Sequence, residues 1–221
     1  MKKDKALVIF SGGQDSTTCL YWALENFSNV STLTFDYGQR HRAELESAYK
    51  IAKHACVHNQ VLSLGGFNQM GNNSLTGNEK VSAEINPETN LPNSFVPGRN
   101  LIFLTYAAAY AYNQGIFHLV GGMCQTDYSG YPDCRRTTLD ALMTAISLGL
   151  QAHIELHTPL MDLTKAESVK LAVKLGALDA LSLSHTCYNG VNPPCGNCPA
   201  CKLRAKGFEE AGIKDPIFRS N

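Results

Sequence analysis

Apolar positions along the chain follow two periods in turn. Residues 5–10 hold the run Ala6-Leu7-Val8-Ile9-Phe10 and read as a strand. Residues 15–27 set Leu20, Ala23, Leu24 and Phe27 on one face at helical spacing. A second strand follows over 30–35. Next comes a charged helix over 40–55, with Leu45, Ala48, Ile51, Ala52 and Ala55 as its buried stripe, and then a third strand over 57–64. This β-α-β-α-β order predicts a parallel sheet with right-handed crossovers. From 65 to 94 the periodicity stops, and Asn, Gly, Ser, Glu and Pro dominate. So long a loop is expected to act as a lid over the site or as part of a subunit contact, with a plain surface insertion as the alternative. The pattern resumes with a helix over 101–112 and a mostly apolar strand over 116–120, expected to be central in the sheet. A helix over 137–150, a strand over 154–157 and a helix over 164–175 complete it. The last helix opens with Thr164 as N-cap and Glu167 three residues on, a capping box. The expected fold class is α/β: a five-stranded parallel sheet with helices on both faces over 1–180, and a smaller C-terminal region over 181–221.

Ligands of open α/β sheets sit at the carboxyl ends of the strands. Segments 11–18, 36–41, 95–100, 121–135 and 158–165 should therefore share one crevice. The first, Ser11-Gly12-Gly13-Gln14-Asp15-Ser16-Thr17-Thr18, runs from strand to helix. Adjacent glycines let backbone approach a ligand closely, and the N–H groups at the helix start favour an anion. Ser16, Thr17 and Thr18 add hydroxyls, which suggests a phosphate or pyrophosphate cradle. The P-loop pattern needs a Lys-Ser or Lys-Thr pair that is absent here, and G-x-G-x-x-G is absent too.

Composition narrows the partners. In 221 residues, Lys plus Arg equals Asp plus Glu at 19 each, so no global basic field favours a nucleic-acid partner. No apolar run reaches membrane-spanning length, and the first is too short for a signal peptide, so a soluble, cytoplasmic protein is expected. Of eight cysteines, Cys187, Cys195, Cys198 and Cys201 crowd into fifteen residues. In a cytosolic chain that points to a metal site. Four thiolates in tetrahedral array match one structural zinc, with an iron–sulfur cluster as the rival. His185 is a nearby alternative ligand. Lys202, Arg204 and Lys206 follow the cluster and would balance its negative charge.

The string S-G-G-x-D-S resembles the modified loop of the PP-loop ATP pyrophosphatases. Further strings narrow the resemblance to the 7-cyano-7-deazaguanine synthase family: residues 10–20 with Phe10, Cys19 and Leu20 flanking the loop, 35–42, 95–100, 126–135, and Cys187-Tyr188-Asn189-Gly190 with the cysteines after it. They span residues 10–204. The resemblance implies an ATP-dependent ligase acting on 7-carboxy-7-deazaguanine and ammonia, with ATP and Mg²⁺. Adenylated acid and amide intermediates lead to the nitrile, and AMP and pyrophosphate leave. A homodimer is the assembly expected with it. Residues 10–20 become the ATP loop, in which Asp15 either holds Mg²⁺ or braces the loop's own N–H groups. Arg99 and Lys165 are candidates for neutralising phosphate charge. Asp36, at the end of the second strand, is a candidate for ribose. Asp127 and Asp133 are candidates for the pyrimidine edge of the deazaguanine or for Mg²⁺, and Tyr128 or Tyr131 for stacking on its face. A tRNA-modifying PP-loop enzyme or a non-enzymatic zinc module are the alternatives.

Overall fold

The structure, a computed structural model, describes residues 2–39, 42–66, 85–126 and 131–218. Five strands form one parallel sheet in the order β3-β2-β1-β4-β5: β1 is Lys3–Ile9, β2 Phe27–Asp36, β3 His58–Ser63, β4 His118–Val120 and β5 Glu155–His157. Seven α-helices lie among the described residues: α1 Gln14–Asn26, α2 Ala43–His54, α3 Arg99–Asn113, α4 Arg136–Leu150, α5 Lys165–Lys174, α6 Leu178–Ser182 and α7 Pro199–Ala211. The middle strand is β1. β4 is an inner strand, flanked by β1 and β5.

Alternation along β1 builds two apolar layers. Ala6, Val8 and Phe10 meet Leu20 and Ala23 of α1 and Ala48 and Ile51 of α2 on one face. Leu7 joins Leu33, Phe35, Leu104 and Ala108 of α3, and Leu139 and Ile146 of α4, on the other. Helices thus cover both faces, as a fully buried parallel sheet requires.

Element ends differ from the periodicity for local reasons. Phe27 is extended (φ −123°, ψ 149°) and already pairs with Lys3, so α1 runs into β2 without a turn. Ile116 donates its N–H to Ala111 O, closing the end of α3, and β4 begins two residues later. Ile154 N–H is held by Ser147 Oγ at 3.4 Å, and β5 begins at Glu155. The capping box is complete: Thr164 Oγ1 accepts from Glu167 N–H, and Glu167 Oε2 accepts from Thr164 N–H at 2.7 Å.

The chain winds outward from β1 to β2 and β3, then crosses back to place β4 on the other side of β1. That reversal is the switch point at which α/β sheets open a crevice. The glycine loop after β1 and Gly121-Gly122 after β4 meet there. A Cβ on Gly122 would lie 3.3 Å from both Asp15 C and Ser16 N, so a bare backbone lets the β4 end pack on the start of α1.

Candidate active site

A cleft of about 1000 Å³ opens at the switch point. Its walls include Phe10, Ser11, Gly13, Gln14, Asp15 and Ser16 from the glycine loop. Gly12 has φ +79°, and a Cβ there would sit 2.4 Å from Ala48 N and 2.7 Å from Glu44 O. Only glycine lets the loop lie this close to α2. Gly12 O accepts from His185 N–H at 3.0 Å, so the C-terminal region is bonded directly to the loop.

Gly13 caps α1 in extended geometry. Ser11 Oγ lies 3.2 Å from Ser16 Oγ and 3.3 Å from Gly13 N, which leaves a hydroxyl pair at the helix mouth. Thr17 and Thr18 are different. Their hydroxyls donate to Gly13 O at 2.8 Å and Gln14 O at 3.1 Å, and both side chains are buried. With buried Cys19 and Leu20 they form the floor beneath the loop rather than the cleft wall. Burial pushes the Cys19 thiol well above its ordinary range, with the Asp15 carboxylate adding to it, and its Sγ donates to Gly121 O. It is no thiolate. Gln14 carries the one buried side-chain nitrogen or oxygen with no partner among the described residues, its Nε2, and Gln14 lines the cleft. A buried amide donor left without an acceptor costs about 1–3 kcal/mol, which a ligand acceptor would recover.

Asp15 neither braces the loop N–H groups nor stands alone. Lys165 Nζ, from the first residue of α5, donates to both its oxygens at 3.0 and 2.8 Å. The pair is largely withdrawn from solvent on the lysine side, at 10 % side-chain exposure. Gly207 of α7 makes room for it, since a Cβ there would meet Lys165 Cγ at 2.4 Å. Ammonium and carboxylate thus share one wall of the cleft.

Another part of the lining is built around Arg99. Its first-turn position in α3 brings it among Tyr37, Tyr131, Tyr188 and Glu44, all lining the cleft. Burial works against the cation, but the surrounding phenol oxygens of Tyr37, Tyr188 and Tyr131 outweigh it and hold the guanidinium above its ordinary range. Burial also raises Tyr37 and Tyr188. It pushes the Glu44 carboxyl up to about 7, against the pull of Arg99. Tyr131 is fixed by a 2.7 Å bond between its hydroxyl and Ser94 Oγ and by the Phe95 ring at 5.5 Å.

Two aspartates have structural partners where ligand contacts were expected. Asp133 is 4 % exposed, and its Oδ2 accepts from Asn100 N–H at 3.0 Å, supplying an acceptor to the first turn of α3. Asp36 braces its own turn: Oδ2 accepts from Arg42 Nη2 at 2.9 Å and Oδ1 from Gly38 N–H at 3.4 Å. Asp127 and Tyr128 lie outside the described residues.

Cys187, Cys195, Cys198 and Cys201 bring four sulfurs within 4.8 Å of one another. Cys195 and Cys201 Sγ are 4.0 Å apart. Tetrahedral coordination with Zn–S near 2.3 Å requires about 3.8 Å. Backbone N–H groups support the ligands: Cys195 N to Cys187 Sγ at 3.5 Å and Cys198 N to Cys195 Sγ at 3.4 Å. The N–H groups of Asn197 and Cys198 draw the Cys195 thiol down to about 6, while burial raises Cys198 and Cys201. Metal binding must therefore release protons. The donor set and its spacing fit a structural metal. His185 is no ligand among the described residues; its Nε2 faces Cys187 O at 3.0 Å. Arg204 does not balance the cluster's charge either. It is buried in an ion pair, with Nε and Nη2 on Asp215 at 2.7 and 2.8 Å, and Nη1 donates to Ser184 Oγ at 2.7 Å. Lys202 and Lys206 do line the cleft.

Glu44, Tyr37 and Tyr188 had no assigned role in the sequence. Tyr37 directly follows a strand end and Tyr188 directly follows Cys187, which was a usable signal for both. Glu44 sits among many charges on α2 and carries none.

A parallel five-stranded sheet, a glycine cradle at its switch point and a four-cysteine cluster beside it define a PP-loop-like α/β protein. The model of the family described as "Queuosine biosynthesis protein QueC" matches residues 5–212. The chain is 59 % identical over 217 residues to a 7-cyano-7-deazaguanine synthase of Chromobacterium violaceum, covering 97 % of this chain and 93 % of that protein. It is 58 % identical over 217 residues to one of Laribacter hongkongensis, covering 97 % and 94 %. The chain belongs to this family of queuosine biosynthesis proteins. Among solved structures it is similar in fold to the U34-tRNA thiolase NcsA of Methanococcus maripaludis with its [4Fe-4S] cluster, with TM-score 0.50 and 18 % identity, over 95 % of this chain and 66 % of that one.

Proposed function

We propose that the chain is a C–N bond-forming ligase that turns 7-carboxy-7-deazaguanine and ammonia into 7-cyano-7-deazaguanine, cleaving ATP to AMP and pyrophosphate at each of two steps. The observation that carries this reading is one cleft joining three things in a member of this family: an anion cradle, an unpartnered Gln14 amide and an Arg99–tyrosine wall.

A carboxylate is a poor electrophile. Transfer of AMP to its oxygen makes that oxygen a leaving group and releases pyrophosphate. Ammonia then adds, AMP leaves, one proton is lost, and an amide results. Adenylation of the amide oxygen, loss of AMP and loss of both amide protons give the nitrile. Ser11, Gly12, Gly13 and Ser16 hold pyrophosphate by N–H and hydroxyl groups, with Gln14 Nε2 as a further donor. Phe10 walls the nucleotide, and Lys165 and Arg99 offset phosphate charge. Asp15, paired with Lys165, would hold Mg²⁺ brought with the nucleotide, and the Lys165 ammonium would then face phosphate. Mg²⁺ neutralises developing phosphate charge when bound. Glu44, ionising near neutrality in the same cleft, accepts the proton lost as ammonia forms the amide and one of the two lost as the amide becomes the nitrile. Tyr131 and Tyr188 shape the base pocket, and Asp127 and Tyr128 are candidates for contact with the base. Asp36 at the β2 end is the ribose candidate.

One zinc in the cysteine cluster is structural, since its four thiolates leave no open position. We assign residues 181–221 to a zinc-binding region packed on the 1–180 catalytic domain; of the 65–94 insertion expected as a lid, residues 67–84 lie outside the described residues. Balanced charge supports small-molecule substrates without a nucleic-acid partner, and a cytoplasmic location fits a chain with no membrane-spanning helix among its described residues. A homodimer is the proposed assembly, with Tyr106, Tyr112 and Leu148 exposed on α3 and α4.

The test is product mass spectrometry after incubation with ATP, Mg²⁺, ammonium and 7-carboxy-7-deazaguanine. A nitrile with AMP is expected. Unchanged acid and ATP would overturn the reading. Metal analysis finding iron and sulfide in place of zinc would overturn the zinc assignment alone.

A further inference from the structure

A second cluster of metal-ligating side chains lies away from the cleft. Glu155 and His157 are two apart on β5, so they share one face of the edge strand. His118 of β4 stands in register with Glu155, and Val120 with His157. Val120 packs in the α1 layer, so all three polar side chains project towards α1. There, His118 Nδ1 lies 3.2 Å from Glu155 Oε2 and 3.2 Å from His157 Nε2. His157 Nδ1 lies 3.6 Å from Glu155 Oε1. One ligand atom from each residue falls within 4.8 Å of the others. None of the three lines the cleft.

We infer that His118, Glu155 and His157 form a binding site for a first-row divalent transition cation, separate from the cysteine cluster. Two imidazoles and a carboxylate on one sheet face are ligands for zinc, cobalt or nickel. Tetrahedral bonds of 2.0–2.1 Å to nitrogen and oxygen set donor separations of about 3.3 Å, and the two 3.2 Å contacts have that length. Glu155 has one oxygen beside His118 Nδ1 and the other facing His157 Nδ1. His118 Nδ1, His157 Nε2 and one Glu155 oxygen are the ligand atoms the site would offer. The Phe27 ring, 5.2 Å from His118 and 5.5 Å from His157, and the Trp22 ring, 5.6 Å from His157, wall one side. Glu155 at 42 % side-chain exposure keeps the other side open to solvent, so ions can enter and water can fill the fourth position. A bound cation would join edge strand β5 to β4.

Trp22 is the sole tryptophan of the chain, and it supplies a local readout. The protein as isolated, with its cysteine cluster filled, is titrated with Co²⁺ and with Ni²⁺. Expected are saturable quenching of Trp22 fluorescence at one equivalent and Co²⁺ d–d absorption without thiolate charge-transfer bands. His118→Gln and His157→Gln should each weaken the apparent affinity more than about tenfold, since each removes one of three ligands. Exposed Glu155→Gln does the same and serves where a histidine variant fails to fold. Quenching that does not saturate, or that survives in Glu155→Gln with parent affinity, would overturn the site. Thiolate bands as the only cobalt signal would do so as well.

Discussion

Gly12→Ala is the sharpest probe of the cradle. Two costs add. At φ +79° alanine is strained by about 1–2 kcal/mol. The new Cβ also starts 2.4 Å from Ala48 N, where ordinary contact begins at 3.4 Å, so loop or helix must move by roughly 1 Å. Both contact atoms at Ala48 and Glu44 are backbone, so no rotamer change relieves the clash. The strain alone lowers Tm by roughly 2–8 °C for a chain of this size. The displacement moves phosphate donors by the distance that typically costs about 100-fold in rate. Gly176→Ala is the control. Its φ is +71°, but an added Cβ there meets nothing within 4 Å. It should show the strain in Tm and keep parent turnover. Scanning calorimetry and ATP-dependent AMP release measure both. A Gly12→Ala enzyme that turns over like the parent and melts like Gly176→Ala would falsify the close-packed cradle.

Arg204→Met strips the partner from Asp215, which is 9 % exposed, and should cost about 3–5 kcal/mol in urea denaturation. Adding Asp215→Leu should recover most of that, and a double variant no better than the single would refute the pair's role. Glu44 holds its proton in the native state up to about 7, against 4.5 unfolded. The native state therefore binds more protons across this window, and stability falls as pH rises through it. Glu44→Gln should flatten that fall, by an amount on the order of 1–3 kcal/mol for a half-buried group, and should abolish the rise of turnover with pH near 7; equal pH profiles in parent and variant would remove Glu44 from both roles. Cys198→Ser should release the bound metal and lower Tm before chemistry is affected; lost turnover with parent metal content and Tm would contradict a structural role.

Much of the local chemistry was legible in the chain. Strand and helix periods, the glycine pair before a helix, the Thr164–Glu167 box and the close cysteine spacing each act over a few residues, so sequence order alone determines them. The parallel sheet and its cleft followed, because few connections satisfy such an order. Partners distant along the chain were decided only by the tertiary structure. Asp15 meets Lys165 across 150 positions. Arg204 turns from the cysteine cluster into the buried Asp215, and Asp133 accepts from the first turn of α3. A charged side chain in sequence shows its charge but not whether burial will force it onto a counter-ion, because that depends on which segments the sheet order stacks together. His118, Glu155 and His157 show the same limit. Two residues on one strand share a face by period, but the third joins them only through the β4–β5 register.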